Sequence, residues 1–325
     1  MSKTVIITGA TGFIGSHTAK TFKRAGYKVI GVDTKFTIPE STQFIDDLVI
    51  DDYEITSELV NINDVSAIIH IAGTSLVGPS IDNPHEYYEN NVSKTNRMLL
   101  GLKNRKWKGT LVFSSSAAVY GNTYPYSEHV LLTPINPYGR TKLMCEQIIS
   151  DSCNAYGMRG VALRYFNACG CDIDGDLGNA KYDTHLIPVI IEKILTKDKF
   201  YINGNDFDTK DGTCVRDYLH VNDIADAHLE AVCLAESFDK YKFNAYNLGT
   251  GIGYSNLDIV TNCEQIIGES LDYRMGPRRV GDPDKLVANP GLFMSSTNWK
   301  PKYSDLETIV KTTYDWMKKF DYSEE

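Results

Sequence analysis

Tyr138 and Lys142 stand four residues apart in Asn136-Pro-Tyr-Gly-Arg-Thr-Lys142. On a helix, that spacing puts a phenol and an ammonium on one face. An unperturbed phenol has a pKa of about 10, so a phenolate at neutral pH needs a downward shift of roughly three units, about 4 kcal/mol. An ammonium on the next turn, joined by a second cationic group, can supply it and make the tyrosine a base. A Tyr/Lys pair at this spacing is by itself most often a surface contact, so a source for the second charge has to be found elsewhere. The N-terminus offers one. TVIIT over 4–8 predicts a short buried strand, followed by Gly9-Ala-Thr-Gly12-Phe-Ile-Gly15 and a helical run from Phe13 to about Gly26. Such glycines let the backbone turn tightly and approach a pyrophosphate, whose charge sits on the helix N-terminus.

Asp33 ends the second predicted strand (VIGVD), near the spacing from the glycines at which a carboxylate meets the adenosine ribose hydroxyls. This predicts NAD; Lys35, two residues on, keeps NADP open. In 325 residues, 42% hydrophobic and 23% charged, no apolar run approaches the roughly 18 residues of a membrane span. A net charge of -9 argues against nucleic acid or an anionic membrane as a partner, while allowing an anionic ligand held by a few arginines. The cysteines at 145, 153, 169, 171, 214, 233 and 263 form no paired Cys-x-x-Cys set with histidines. Reduced structural thiols are expected, with no disulfide framework and no metal site. No signal or transit pattern precedes the first strand, so a cytoplasmic protein is expected.

Strand patterns near 4–8, 28–32, 47–50, 67–71, 110–114 and 160–164 alternate with amphipathic stretches such as 84–104 and 137–156. The alternation predicts a parallel sheet covered on both faces, a doubly wound α/β (Rossmann) domain over 1–168. From 169 to 325, beginning with the Gly/Asp-rich Cys169–Gly178 loop, shorter and less regular elements predict a smaller α/β lobe. Segments 218–221 and 245–248, with a helical pattern over 222–236 between them, are expected to return to the first sheet. Residues 321–325 are expected to fray.

The spacing Gly-x-x-Gly-x-x-Gly followed by the Tyr/Lys pair resembles the short-chain dehydrogenase/reductase family in its extended form. The resemblance implies that NAD is held by Gly9, Gly12, Phe13, Ile14, Gly15 and Asp33, and near the adenine by Asp52 and Tyr53. Ile71-Ala72-Gly73 would let the dinucleotide pass, with Ser75 where bacterial epimerases often carry a lysine. Asn90 corresponds to the family's buried asparagine, and Ser114, Tyr138, Lys142 and Phe166 complete the cofactor set. Ser116, four before Tyr120 in Ser114-Ser-Ser-Ala-Ala-Val-Tyr120-Gly121, joins Tyr138 and Lys142 as catalytic residues. The serine donates to the reacting oxygen while the tyrosine takes or returns its proton. Lys142 bonds the nicotinamide ribose and, with the positive nicotinamide ring, stabilises the phenolate.

Four downstream segments narrow the branch: Thr184-His-Leu-Ile-Pro188, the stretch from Gly204 to Val221, Tyr246-Asn-Leu-Gly-Thr-Gly251 and Pro277-Arg-Arg-Val-Gly-Asp282. They resemble the UDP-glucose 4-epimerase family, over essentially residues 3–318. In that resemblance Arg216 and Arg279 clamp a diphosphate, as planar guanidinium forks do well, and Asp282 bonds the nucleoside. Asn167, His185, Leu186, Tyr201, Ile202, Asn203 and Leu286 face the UDP-sugar with Ser116 and Tyr138. His185 replaces a commoner asparagine, and Asn203 a commoner phenylalanine. Leu286 is smaller than the tyrosine of some relatives and leaves UDP-N-acetylhexosamines open as substrates. Dehydratase relatives carry an Asp-Glu pair where this chain has Ala117-Ala118, which disfavours dehydration. The implied reaction is reversible interconversion of UDP-galactose and UDP-glucose by transient C4 oxidation. A UDP-pentose or UDP-uronate is the nearer alternative. A non-enzymatic NAD-binding protein is the farther one, though such proteins typically lose the Tyr or the Lys. Family members commonly pair through helices at 84–104 and 137–156, implying a homodimer.

Overall fold

The strand Thr4–Thr8 (β1) is buried along its whole length, as a central parallel strand between two helical layers must be. The computed structural model describes residues 3–62, 64–179, 184–238, 242–279 and 282–319. Around β1, the strands Lys28–Asp33 (β2), Asp47–Ile50 (β3), Val65–His70 (β4), Thr110–Ser116 (β5), Arg159–Tyr165 (β6) and Phe243–Leu248 (β7) complete a seven-stranded parallel sheet. Its order is β7-β6-β5-β4-β1-β2-β3. The order reverses between β1 and β4, and ligands of such sheets bind outside the carboxyl ends of the strands at that switch point.

Helices Phe13–Arg24 (α1), Lys94–Asn104 (α2), Pro137–Tyr156 (α3) and Val221–Glu236 (α4) cover the sheet. Ala19, Phe22, Ile224 and Ala231 of α1 and α4 pack with Val5, Ile7, Val29 and Val112. Met98, Leu102, Cys145 and Ile149 of α2 and α3 pack with Ile6, Ile68, Leu111 and Phe113. The β-period of the strands puts these two apolar sets on opposite faces. Segment 245–248 returns to the sheet as part of β7. Segment 218–221 does not: Tyr218–His220 pairs with Asn167–Cys169 in a separate parallel ladder. The free edge of β6 is already taken along its length by β7, so a second returning strand has no place there.

A further core beyond residue 168 gathers Ile187, Ile190, Ile191, Ile202, Ile259, Ile309 and Val310. The Gly/Asp-rich loop before it is tied back to α1 by Lys20, which is 1% exposed. The Lys20 ammonium meets carboxylates of Asp172, Asp174 (3.0 Å) and Asp176 (2.9 Å). All seven cysteines are free thiols, and all but Cys233 are buried. No helix among the described residues is long and apolar enough to cross a membrane. Residues 321–325 lie outside the described residues.

A second buried charge pair sits between the sheet and α3. Arg164 of β6 donates from Nε to Glu146 Oε1 (3.0 Å) and from Nη2 to Oε2 (2.7 Å), and Ser115 donates its hydroxyl to the same carboxylate. Arg164 also donates to the Tyr120 hydroxyl at 2.9 Å. Both charges are fully desolvated, so removing one strands the other. Arg164→Met is expected to lower the unfolding free energy in urea by about 3–5 kcal/mol, with most of it restored in the Arg164→Met/Glu146→Leu double variant.

Candidate active site

The nucleotide end is built where β1 meets α1. A Cβ at Gly15 would lie 1.9 Å from Gly9 O, so the turn closes backbone against backbone and no other residue fits. Gly12 caps α1 with no side-chain hydrogen bond, and the first turn of α1 carries no acidic residue. An uncapped helix N-terminus of this kind suits an anion. Asp33, at the end of β2, is held beside the turn: its Oδ2 accepts from the Thr11 N–H (3.0 Å) and lies 2.9 Å from the Thr11 hydroxyl, while Oδ1 accepts from Thr34 N–H (2.9 Å). Turn, helix end and acid together fit a dinucleotide. Asp52 is bound by Lys94 at 2.5 Å. Tyr53 is buried, with its ring 4.7 Å from His70 and its hydroxyl given to Asn90 O, which leaves its backbone for any ligand.

After β4, the N–H groups of Ile71 and Ala72 both donate to Thr8 Oγ1 at 3.1 Å, and Gly73 lies beside Asn91 and Lys142. Ser75 is exposed in the same loop. The buried asparagine is Asn91, not Asn90 as expected. Asn91 is 3% exposed, accepts from Thr74 N–H (2.8 Å) and donates to Thr74 O and Thr141 Oγ1 (each 3.0 Å). Asn90 stands half-buried at the rim, donating to Thr74 Oγ1. Both lie in a π-helical turn, Tyr88–Ser93, that widens the helix and rotates its successive side chains off the α-helical face. The sequence pattern over 84–104 does not show that turn.

Asn136 caps α3 by accepting from Gly139 N–H at 2.8 Å, and Pro137 takes the first helical position. This puts Tyr138 in the first turn and Lys142 one turn below it. A Cβ at Gly139 would stand 2.4 Å from Ala118 O, so the helix head presses directly on the turn after β5. Ser116, at the end of β5, is thereby brought beside the Tyr138 phenol, close enough to act on its protonation, while its Oγ accepts from the Ala118 N–H at 3.2 Å. Tyr87 meets the Tyr138 ring edge-on, with centroids 6.4 Å apart. Lys142 donates to Ser114 O (2.8 Å), with its ammonium 4.9 Å from the Phe113 ring centre and 5.8 Å from that of Tyr138.

Burial dominates the protonation of this pair. It pushes Tyr138 up to about 12, against the lowering effect of Ser116, and Lys142 down to about 8. The expected downward shift of the phenol therefore does not come from Lys142 within the protein's own groups: both side chains are desolvated together, and burial disfavours the charged form of each, although a lysine near 8 still carries its proton at neutral pH.

On the facing side, Phe166 packs with Tyr126 (6.1 Å) in a cluster that includes Ala288 and Leu286. Asn167 donates from Nδ2 to Asp217 O. His185 approaches the Phe13 ring (6.3 Å) and Leu186 starts the helix behind it. Arg216 and Leu286 are register partners on adjacent strands, and Arg216 donates to Asp282 Oδ1 at 3.1 Å and to Pro283 O at 2.9 Å. Arg279 donates to the Asn203 amide oxygen from Nε (3.1 Å) and Nη2 (2.9 Å). Tyr201 is exposed, whereas Ile202 points into the second core, leaving only its backbone for a ligand. Sequence reasoning passed over Asp217, the neighbour of Arg216. It is fully buried, and its carboxylate accepts from Thr250 N–H, Gly251 N–H and Ala288 N–H (2.9–3.1 Å), gathering three loops behind Arg216 and Leu286. The only sequence signal was an acid directly ahead of the Tyr218-Leu-His220 strand.

The parallel sheet with its switch point and the glycine turn between β1 and α1 define a dinucleotide-binding protein of the Rossmann class. A family model described as the NAD dependent epimerase/dehydratase family matches residues 5–249. The chain is 40% identical over 324 residues to the UDP-glucose 4-epimerase of Lactobacillus helveticus, covering 97% of each. It is similar to the crystal structure of UDP-glucose 4-epimerase from Brucella ovis in complex with NAD, with TM-score 0.89 and 39% identity over 97% of this chain and 98% of that one. The same enzyme from Bifidobacterium longum in complex with NAD+ and UDP gives TM-score 0.89 and 32% identity over 98% of both chains. This chain belongs to the NAD dependent epimerase/dehydratase family.

A Cβ at Gly12 would meet Gly9 O at 3.3 Å, tight but not a clash, so a side chain there is tolerated by the fold yet projects over the turn. Gly12→Ala is expected to shift Tm little while weakening NAD at least tenfold in a fluorescence titration. An equal loss of Tm and affinity would make the glycine structural only.

Proposed function

We propose that this chain is an NAD-dependent UDP-glucose 4-epimerase that interconverts UDP-galactose and UDP-glucose in the cytoplasm. The observation that carries the reading is the placing of Tyr138 beside Ser116 at the head of α3, with Lys142 one turn below it and next to Gly73. NAD, held by the Gly9–Gly15 turn and Asp33, supplies the hydride acceptor and donor for the sugar C4. Tyr138 takes the proton of the 4-hydroxyl and returns it at the end of the cycle. Ser116 donates to the same oxygen, so that it is held at two points in both directions. Lys142 brings positive charge to the tyrosine's side of the cleft, and the cationic cofactor ring adds the second charge that burial otherwise denies the phenolate.

Arg216, Arg279 and Asp282 hold the UDP portion, and Leu286, in register with Arg216, borders the sugar. Gripping the diphosphate while leaving the hexose loose lets the oxidised sugar turn its other face to the cofactor, which inverts C4. Ala117-Ala118, after Ser116, supply no acid for dehydration. The modest bulk of Leu286 admits N-acetylated UDP-hexosamines, and Leu286→Tyr is expected to reduce turnover of UDP-N-acetylglucosamine more than that of UDP-glucose. Residues from 169 onward are read as the main UDP-sugar lobe. The exposed apolar residues Leu100 on α2 and Met144 and Tyr156 on α3 favour a homodimer through these helices, and light scattering of the purified protein tests it.

The direct experiment is incubation with UDP-galactose and no added NAD, followed by proton NMR. UDP-glucose should appear. No product even after NAD is added would overturn the assignment. In Tyr138→Phe, kcat is expected to fall by roughly 10²–10⁴ with UDP affinity unchanged, and wild-type turnover in that variant would remove Tyr138 from the chemistry.

A further inference from the structure

The chemistry described leaves His228 unused. It lies on α4, fully buried, between Tyr165 at the end of β6 and Thr18 on α1. Its Nδ1 is 3.0 Å from Thr18 Oγ1, and its Nε2 meets the Tyr165 hydroxyl. That hydroxyl is in turn 2.8 Å from Ser114 Oγ, and Thr18 Oγ1 is 2.8 Å from Ile14 O.

With Thr18 Oγ1 donating to Ile14 O, these contacts are satisfied by one consistent placement of the protons. In that placement the Thr18 oxygen accepts from His228 Nδ1–H. Burial keeps the imidazole neutral, with its pKa pushed down to about 3, so the other nitrogen carries no proton. His228 Nε2 therefore accepts from the Tyr165 hydroxyl, whose oxygen accepts from the Ser114 hydroxyl. The result is a one-way chain from Ser114 through Tyr165, His228 and Thr18 to Ile14, in which each bond polarises the next. Its ends lie at the two halves of the dinucleotide site. Ile14 lies in the first turn of α1, two residues after Gly12, and Ser114, whose hydroxyl starts the chain, receives the Lys142 ammonium on its carbonyl.

We propose that Tyr165 and His228 are positioning residues that couple the pyrophosphate turn to the catalytic lysine, fixing the span between the two ends of the NAD site. An apolar pair would fill the same space without the three buried polar atoms of Tyr165 and His228 to satisfy, so packing alone does not account for them. The coupling rests on the dinucleotide reading of the glycine turn, and it is independent of which sugar nucleotide is turned over.

The test compares wild type with Tyr165→Phe, His228→Leu and the double variant, each purified with its NAD. In both single variants NAD should dissociate about tenfold faster during timed dialysis, the size of one lost buried hydrogen bond. For both, kcat should fall several-fold, with KM for UDP-galactose unchanged. In the double variant the polar groups are removed together, so Tm should recover while NAD still leaves fast. Nitrogen-15 NMR of the imidazoles should find His228 protonated on Nδ1. NAD retention that recovers with Tm in the double variant, unchanged retention in the single variants, or a His228 proton on Nε2 would overturn the coupling alone. Wild-type protein that takes up no NAD would overturn both the coupling and the dinucleotide reading.

Discussion

The head of α3 reaches the end of β5 only because position 139 has no side chain. A single Cβ there would strike the Ala118 carbonyl and lift the helix off the sheet. Much of the site depends on that contact. With the helix seated, Tyr138 falls beside Ser116, Lys142 reaches the Ser114 carbonyl one turn down, and Glu146 meets Arg164 one turn further. Ile149 continues the same face into the core. The four-residue period that first drew attention to Tyr138 and Lys142 therefore runs on through an ion pair and an apolar anchor. Catalytic spacing and helix packing are one geometric fact.

Desolvation then shapes what the seated residues can do. A buried phenol and a buried ammonium oppose their own ionisation, and the protein does little to relieve either. By contrast, two buried cations without chemistry, Lys20 and Arg164, are met by carboxylates at short range. These two scaffold cations are neutralised, whereas the phenol and ammonium at the cleft are not. A site arranged this way responds strongly to a charged ligand, because a charge entering a low-dielectric region acts on partners that water does not screen.

The sheet was legible because its strands are continuous apolar runs between turn residues, a pattern with few alternative structures. Helix α3 matched its expected bounds because Asn136 and Pro137 mark its start and Gly157 its end. The second region was harder. Tyr218–His220 has the composition of a sheet strand, and its true partner is decided by β7 occupying the edge of β6, a long-range fact that local pattern does not carry. Asn90 and Asn91 could not be told apart because a π-helical turn changes which of two neighbours faces inward. The Tyr and Ile at 53 and 202 sit at the expected places in the chain, but their side chains belong to the cores. Spacing located the position without saying which atoms face the cleft.

Lys20 and β7 have a consequence for how the molecule divides. The lysine is on the first helix of the chain, and its three carboxylates lie about 150 residues later, in the loop that leads to the second core. The last strand of the first sheet also comes from late in the chain. A fragment cut after β6 would carry a bare sheet edge and would lose the three carboxylates that cover and neutralise Lys20. The nucleotide-binding half is thus recognisable as a module by eye, yet it is not separable as one: its charge balance and its sheet are both completed by residues that follow it in the chain, and the two halves are bound to fold, and to persist, together.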